Sequence, residues 1–120
     1  MKVNEFLEKY YLHDSTIDEI SYDSGAKELI WHMDFAFWMQ SDYVEGTPEN
    51  GMINLHFHNV ENYSGLIGEI DWFSIDRVVS NPDGTITCTI LDDYNGDCYI
   101  WSFYAHDMEI EDLHIDTTNA

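Results

Sequence analysis

Along most of this chain, hydrophobic and polar residues alternate with a period of two. From position 29 to 39 the odd positions read Leu29, Trp31, Met33, Phe35, Phe37 and Met39, with Glu28, His32, Asp34 and Gln40 among the even ones. Successive strand side chains point to opposite faces, so this stretch predicts a strand with one buried and one wet face. Ile30 and Trp38 are the exceptions to the pattern. Residues 52–60 repeat it, with Ile53, Leu55 and Phe57 inward and Asn54, His56 and His58 outward. Further strands are expected over 13–23 (Ile20 and Tyr22), over 70–79 (Phe73, Ile75 and Val79 on one side) and over 99–104. Another follows Gly84, where Ile86, Cys88 and Ile90 alternate with threonines. In the last segment, 106–116, the apolar parity flips between Ile110 and Leu113, which predicts a bulge near Glu111 and Asp112 or two separate pieces.

The exception to the period of two is the start. Val3, Phe6, Leu7 and Tyr10 recur at i, i+3, i+4 and i+7, so residues 3–11 read as a short helix with Asn4 as its cap. Such a helix is too short to stand alone and must dock on a sheet. Ser24, Gly25, Ala26 and Lys27 form a turn; Asn81, Pro82, Asp83 and Gly84 carry a type I turn signal; Asn95 and Gly96 signal a hairpin. Residues 41–50 form an acidic loop with Gly46 and Pro48, while 61–68 read as a loop or one helical turn. The expectation is one α+β domain over residues 1–120, an N-terminal short helix packed on a mainly antiparallel, meander-type sheet of about six or seven strands.

Charge sharpens this picture. The 120 residues include 24 Asp and Glu against 4 Lys and Arg, a formal net charge of −20. Folding must overcome that self-repulsion, and an aromatic content of 15% supplies the apolar mass that disordered acidic chains lack. Solubility alone, a basic partner, cation binding or a salty environment would each account for the charge. Nucleic acid and anionic membranes require a basic footprint, and Lys2, Lys9, Lys27 and Arg77 are scattered, so neither is an expected partner. No segment has the length of a membrane span, and residues 1–10 show no signal-peptide core, which points to the cytoplasm. Cys88 and Cys98 are then expected as reduced thiols outside any CxxC motif.

Catalytic signatures are missing. The chain has no P-loop, no Rossmann glycine fingerprint and no Gly-x-Ser-x-Gly elbow. His13, Asp14 and Ser15 are neighbours in sequence, whereas triad members meet in space; Asp14 or Ser15 instead suits a backbone-bonded turn. Asp92, Asp93, Tyr94, Asn95, Gly96 and Asp97 resemble a calcium loop only superficially, since glycine falls at the wrong position and the flanks are strands. His32, Asp34, His56 and His58 share the polar faces of two strands and would be metal-ligand candidates if those strands pair. No cofactor is called for. Exposed aromatics among carboxylates suit a basic protein partner, the rings anchoring and the charges steering. The candidate contacts are Asp42, Tyr43, Glu45, Glu49, Glu61, Tyr63, Asp92, Asp93 and Tyr94.

Tyr11, Leu12, His13, Asp14, Ser15 and Ile17, between a short helix and a long aromatic strand, carry a resemblance. The segment resembles small acidic bacterial families that open with a Leu-His-Asp-Ser type motif and continue as antiparallel sheet, several of them regarded as immunity proteins of polymorphic toxins. The resemblance implies a stoichiometric inhibitor of a toxin domain and transfers no catalytic residue. Two other readings stand beside it: a metal-binding or metal-dependent domain, and a structural subunit pairing with a second copy, so that the chain is a monomer or a homodimer.

Overall fold

The computed structural model describes residues 1–112. Helix α1 (Val3–Lys9) precedes seven strands: β1 (Thr16–Asp23), β2 (Glu28–Ala36), β3 (Asn50–His58), β4 (Gly68–Ser80), β5 (Thr85–Asp92), β6 (Asp97–Tyr104) and β7 (Asp107–Asp112). They form one antiparallel sheet in the order β6-β5-β4-β1-β2-β3-β7. Two three-stranded meanders, β1-β2-β3 and β4-β5-β6, meet where β1 pairs with β4, and β7 flanks β3. The α+β meander architecture read from the periodicity is the one observed.

β6 and β7 stand at opposite ends of that order, yet only Ala105 and His106 separate them in the chain. The sheet therefore curls around one core. Phe103 on β6 reaches across it, its ring 5.5 Å from Phe57 on β3 and 6.4 Å from Trp31 on β2, both edge-on. Burying each of these rings contributes about 1.5–3 kcal/mol, and the edge-to-face contacts add roughly 0.5–1.5 kcal/mol each. Backbone bridges help to close the gap: Glu61 exchanges two 2.9 Å hydrogen bonds with Tyr104, and Lys2 pairs with Asp107. α1 docks through Val3 and the fully buried Phe6, with Tyr10 continuing the aromatic chain to Phe35.

Several local expectations are revised. The helix stops at Lys9, because Tyr10 is already extended, and Lys2 rather than Asn4 occupies the N-cap. β2 ends at Ala36 and the chain makes a 3-10 turn over Phe37–Met39. Side chains end the strand there: Ser15 Oγ accepts the Ala36 N–H at 2.9 Å and Gln40 Nε2 donates to the Ala36 carbonyl at 2.9 Å. In β4 the register shifts between Ile75 and Arg77, so the parity flips; Val78 packs against the core and Val79, expected inward, is 39% exposed. Residues 61–68 contain no helical turn and their first seven form a loop. The hairpin at Asn95 and Gly96 is present, with residues 93–96 connecting the strands and Gly96 in the left-handed region. β7 pairs regularly with β3 as far as Asp112; the expected parity change at Leu113 and Ile115 lies outside the described residues.

Candidate functional site

The register sorts the chain's polar residues onto two outer faces of different chemistry. On β1, β2, β3 and β7 the outward positions include Glu19, Asp23, Glu28, Asp34, Asp107, Glu109 and Glu111, interleaved with His32, His56 and His58. Asp18, at a bulge in β1, adds an eighth carboxylate. On the other meander, residues 85–91 of β5 and 98–104 of β6 contain no charged side chain at all. Their outward positions read Thr85, Thr87, Thr89 and Leu91, opposite Tyr104, Ser102, Ile100 and Cys98. β4 contributes Val79 and the ion pair of Arg77 with Asp76 at 3.6 Å.

The histidines of the acidic face pair with separate carboxylates. His32 Nδ1 lies 2.5 Å from Asp18 Oδ1, and His58 Nδ1 lies 2.6 Å from Glu28 Oε2. His56 Nε2 is 4.0 Å from Glu111. β2 and β3 do pair, so His32, Asp34, His56 and His58 share one face. They do not converge: His32 opposes Asn54, Asp34 opposes Met52, and His56 opposes Ile30. Among the described residues, no three His, Cys, Asp or Glu side chains are grouped to hold a metal ion.

The motif at the start of β1 is taken up by the fold. Leu12 and Ser15 are buried. Asp14 adopts a left-handed conformation and donates its N–H to the Ile75 carbonyl, while Ile75 N–H returns to the Ser15 carbonyl at 2.8 Å. His13 Nδ1 meets the Asp76 carbonyl at 2.8 Å. With Ser15 Oγ bonded to the Ala36 N–H, these residues tie β1 between β2 and β4. Neither cysteine is in a disulfide; burial pushes the Cys88 thiol up and keeps it protonated, while Cys98 is exposed.

The candidate partner contacts divide by location. Asp42, Tyr43, Glu45 and Glu49 lie in the loop after the 3-10 turn, and all but Tyr43 are exposed. Beneath that loop is a hollow of about 420 Å³ lined by Tyr10, Phe35, Phe37, Ile53 and Ile110, with Asp42, Tyr43, Val44 and Pro48 at the loop side. Asp93, which accepts a hydrogen bond from Ser74 Oγ at 2.6 Å, and Tyr94 sit in the β5-β6 connection, where Tyr94 is 91% exposed. The remaining three also have structural partners. Asp92 is buried; hydrogen bonds from the Asn95 side chain, then from the Asn95 and Tyr94 amides, hold its carboxyl below the usual range. Glu61 bonds Lys27 at 2.8 Å, which lowers the carboxyl and raises the amine. Tyr63 packs edge-on against Trp101 and Phe103 and donates to the Leu66 carbonyl.

Trp72, whose aromatic bulk suits a core, lies outside it. β1 pairs Ile17 with Phe73 and Glu19 with Glu69, so residues 70–72 bulge opposite Asp18 alone. Trp72 has φ 55° and is 47% exposed, an uncommon conformation for a bulky side chain. No local sequence signal announces a three-residue bulge. The chain matches no protein-family model, no curated protein and no solved structure.

Proposed function

We propose that this chain is a non-enzymatic, acidic protein-binding domain for a basic partner, most concretely an immunity-type inhibitor of a bacterial toxin domain acting in the cytoplasm. The observation that carries this reading is the aromatic hollow under the acidic 41–49 loop. Tyr10, Phe35, Phe37 and Tyr43 offer rings to an anchoring side chain, and Asp42, Glu45 and Glu49 surround the approach with charge. Aromatic pockets of this kind concentrate binding energy, whereas exposed charges act chiefly on the rate of encounter. Few cations compete: of the four, Lys27 and Arg77 are already ion-paired and Lys9 lies 5.1 Å from the centre of the Tyr10 ring. The domain would cover the active site of a basic enzyme or present carboxylates in place of its anionic substrate.

The test is partner capture from source-cell lysate at low salt, followed by binding kinetics on the captured protein. Association should slow steeply as salt rises. Replacing Asp42, Glu45 and Glu49 together with Asn, Gln and Gln should cut the low-salt on-rate about tenfold and matter little at high salt. Tyr43→Ala should act mainly on dissociation, weakening binding about tenfold or more. An association rate indifferent to salt would refute the reading.

A further inference from the structure

We propose that the outer face of β5 and β6, with the adjoining Val79 of β4, is an interface between two copies of this chain. The outward positions of β5 and β6 carry no charge in a molecule that is otherwise saturated with it. In a chain with 24 acidic residues among 120, the stretches 85–91 and 98–104 carry none and no basic residue either. Depletion of charge, more than hydrophobicity, distinguishes the core of a protein interface. Ile100, on the outer strand β6, is 66% exposed and lies directly opposite Thr89 on β5, with Val79 and Tyr104 also exposed.

Charge also selects the occupant. A two-fold dimer places a patch against itself, so any charged patch meets its own sign. A copy with net charge −20 can approach another only where carboxylates are absent. The acidic face of β1, β2, β3 and β7 fails that condition and the face of β5 and β6 meets it; on the adjoining β4, Arg77, the cross-strand neighbour of Thr89, is ion-paired with Asp76 at 3.6 Å. Contact through the flank of β6 is less available than contact through its face. Glu61 pairs with Tyr104 on that flank through two backbone hydrogen bonds. Packing through the face of β5 and β6 uses none of the residues that line the acidic face or the aromatic hollow.

This inference does not depend on the basic-partner reading, because salt moves the two associations in opposite directions. Screening weakens attraction to a basic protein and relieves repulsion between two acidic copies. Sedimentation equilibrium of the full chain, from micromolar to millimolar at low and high salt, should show a monomer-dimer equilibrium that tightens as salt rises. Ile100→Asp and Thr89→Asp should each weaken the dimer at least ~10-fold, a change of about 1.4 kcal/mol, with melting curves close to the parent's because both side chains point outward. Glu109→Gln, on the acidic face, should leave it intact. A monomer at every concentration and salt would overturn the proposal. So would a dimer that weakens with salt, or one that survives both substitutions.

Discussion

The two meanders share one core and differ on their outer faces. On β1, β2, β3 and β7 the outward residues are carboxylates and imidazoles, paired at 2.5 Å in His32 with Asp18 and 2.6 Å in His58 with Glu28. On β5 and β6 they are threonines, a serine, Ile100, Leu91, Cys98 and Tyr104, without a charge. The inner faces show no such division, since Phe103 of one meander packs on Trp31 and Phe57 of the other. The contrast teaches that the −20 charge is not a uniform coating. Carboxylates gather on the outer face of β1, β2, β3 and β7 and are withheld from the outer positions of β5 and β6, and the two proposed associations draw on that separation.

The most disruptive way to probe this contrast is to cut the core the two meanders share. Phe103→Ala should destabilise the protein by about 3–5 kcal/mol. Because the ring spans both halves, denaturant unfolding should remain one transition at a lower midpoint. Two resolved transitions would show the meanders to be separate units, which the curled sheet argues against.

A smaller effect should come from acid. The β5-β6 connection holds the Asp92 carboxyl down through the Asn95 side chain and two amides, and Thr85 does the same for Asp83 at the β4-β5 turn. A carboxyl depressed in the folded state contributes stability above its ordinary value, which is lost as pH falls through the folded value. The turns that flank the uncharged outer positions of β5 are thus acid-sensitive. Asp92→Asn should flatten the stability profile of the protein below about pH 4 and leave its shape at neutral pH unchanged. An unaltered acid limb would mean that other carboxylates govern it.

The smallest effect should appear on the acidic face. Glu109 lies on β7 between Asp107 and Glu111 and is mostly exposed, 3.7 Å from His58 Nε2. Glu109→Gln removes one repelling charge and one long imidazole contact, so thermal melts should shift by no more than about 0.5 kcal/mol in stability. Any gain should shrink as salt rises. A large loss would identify the His58 contact as structural and refute the view that this face is chiefly self-repelling.

Much of this was legible from residue order alone. Alternation and turn signals together picked out the strands, and alternation placed Trp31, Phe57 and Ile86 inward and the histidines of β3 outward. It put Glu28, His32 and Asp34 on the polar face of one strand and the threonines on that of β5, but the contrast between the two faces came from the strand pairing. It failed where the backbone departs from period two. The bulge at Asp76 turned Val79 outward, and the bulge over residues 70–72 brought Trp72 to the surface. It failed too where a polar side chain satisfies its own neighbourhood. Asp92 reads as a surface acid but closes its own turn, and Tyr63 reads as an exposed ring but shelters under Trp101 and Phe103.

Periodicity, turn residues and charge count are local quantities, each set by neighbours along the chain, and they were sufficient for the elements, the fold class and the excess of acid. The order of the strands is a long-range choice. It depends on which pairings bury the aromatic faces together after the loops close, and no single segment records that choice. Pairing β1 with β4 and β7 with β3 gathered the carboxylates on one side of the curled sheet and the uncharged residues on the other. The aromatic hollow under the 41–49 loop arose in the same way, from α1, β2, β3 and β7, segments far apart in the chain and brought together by burial.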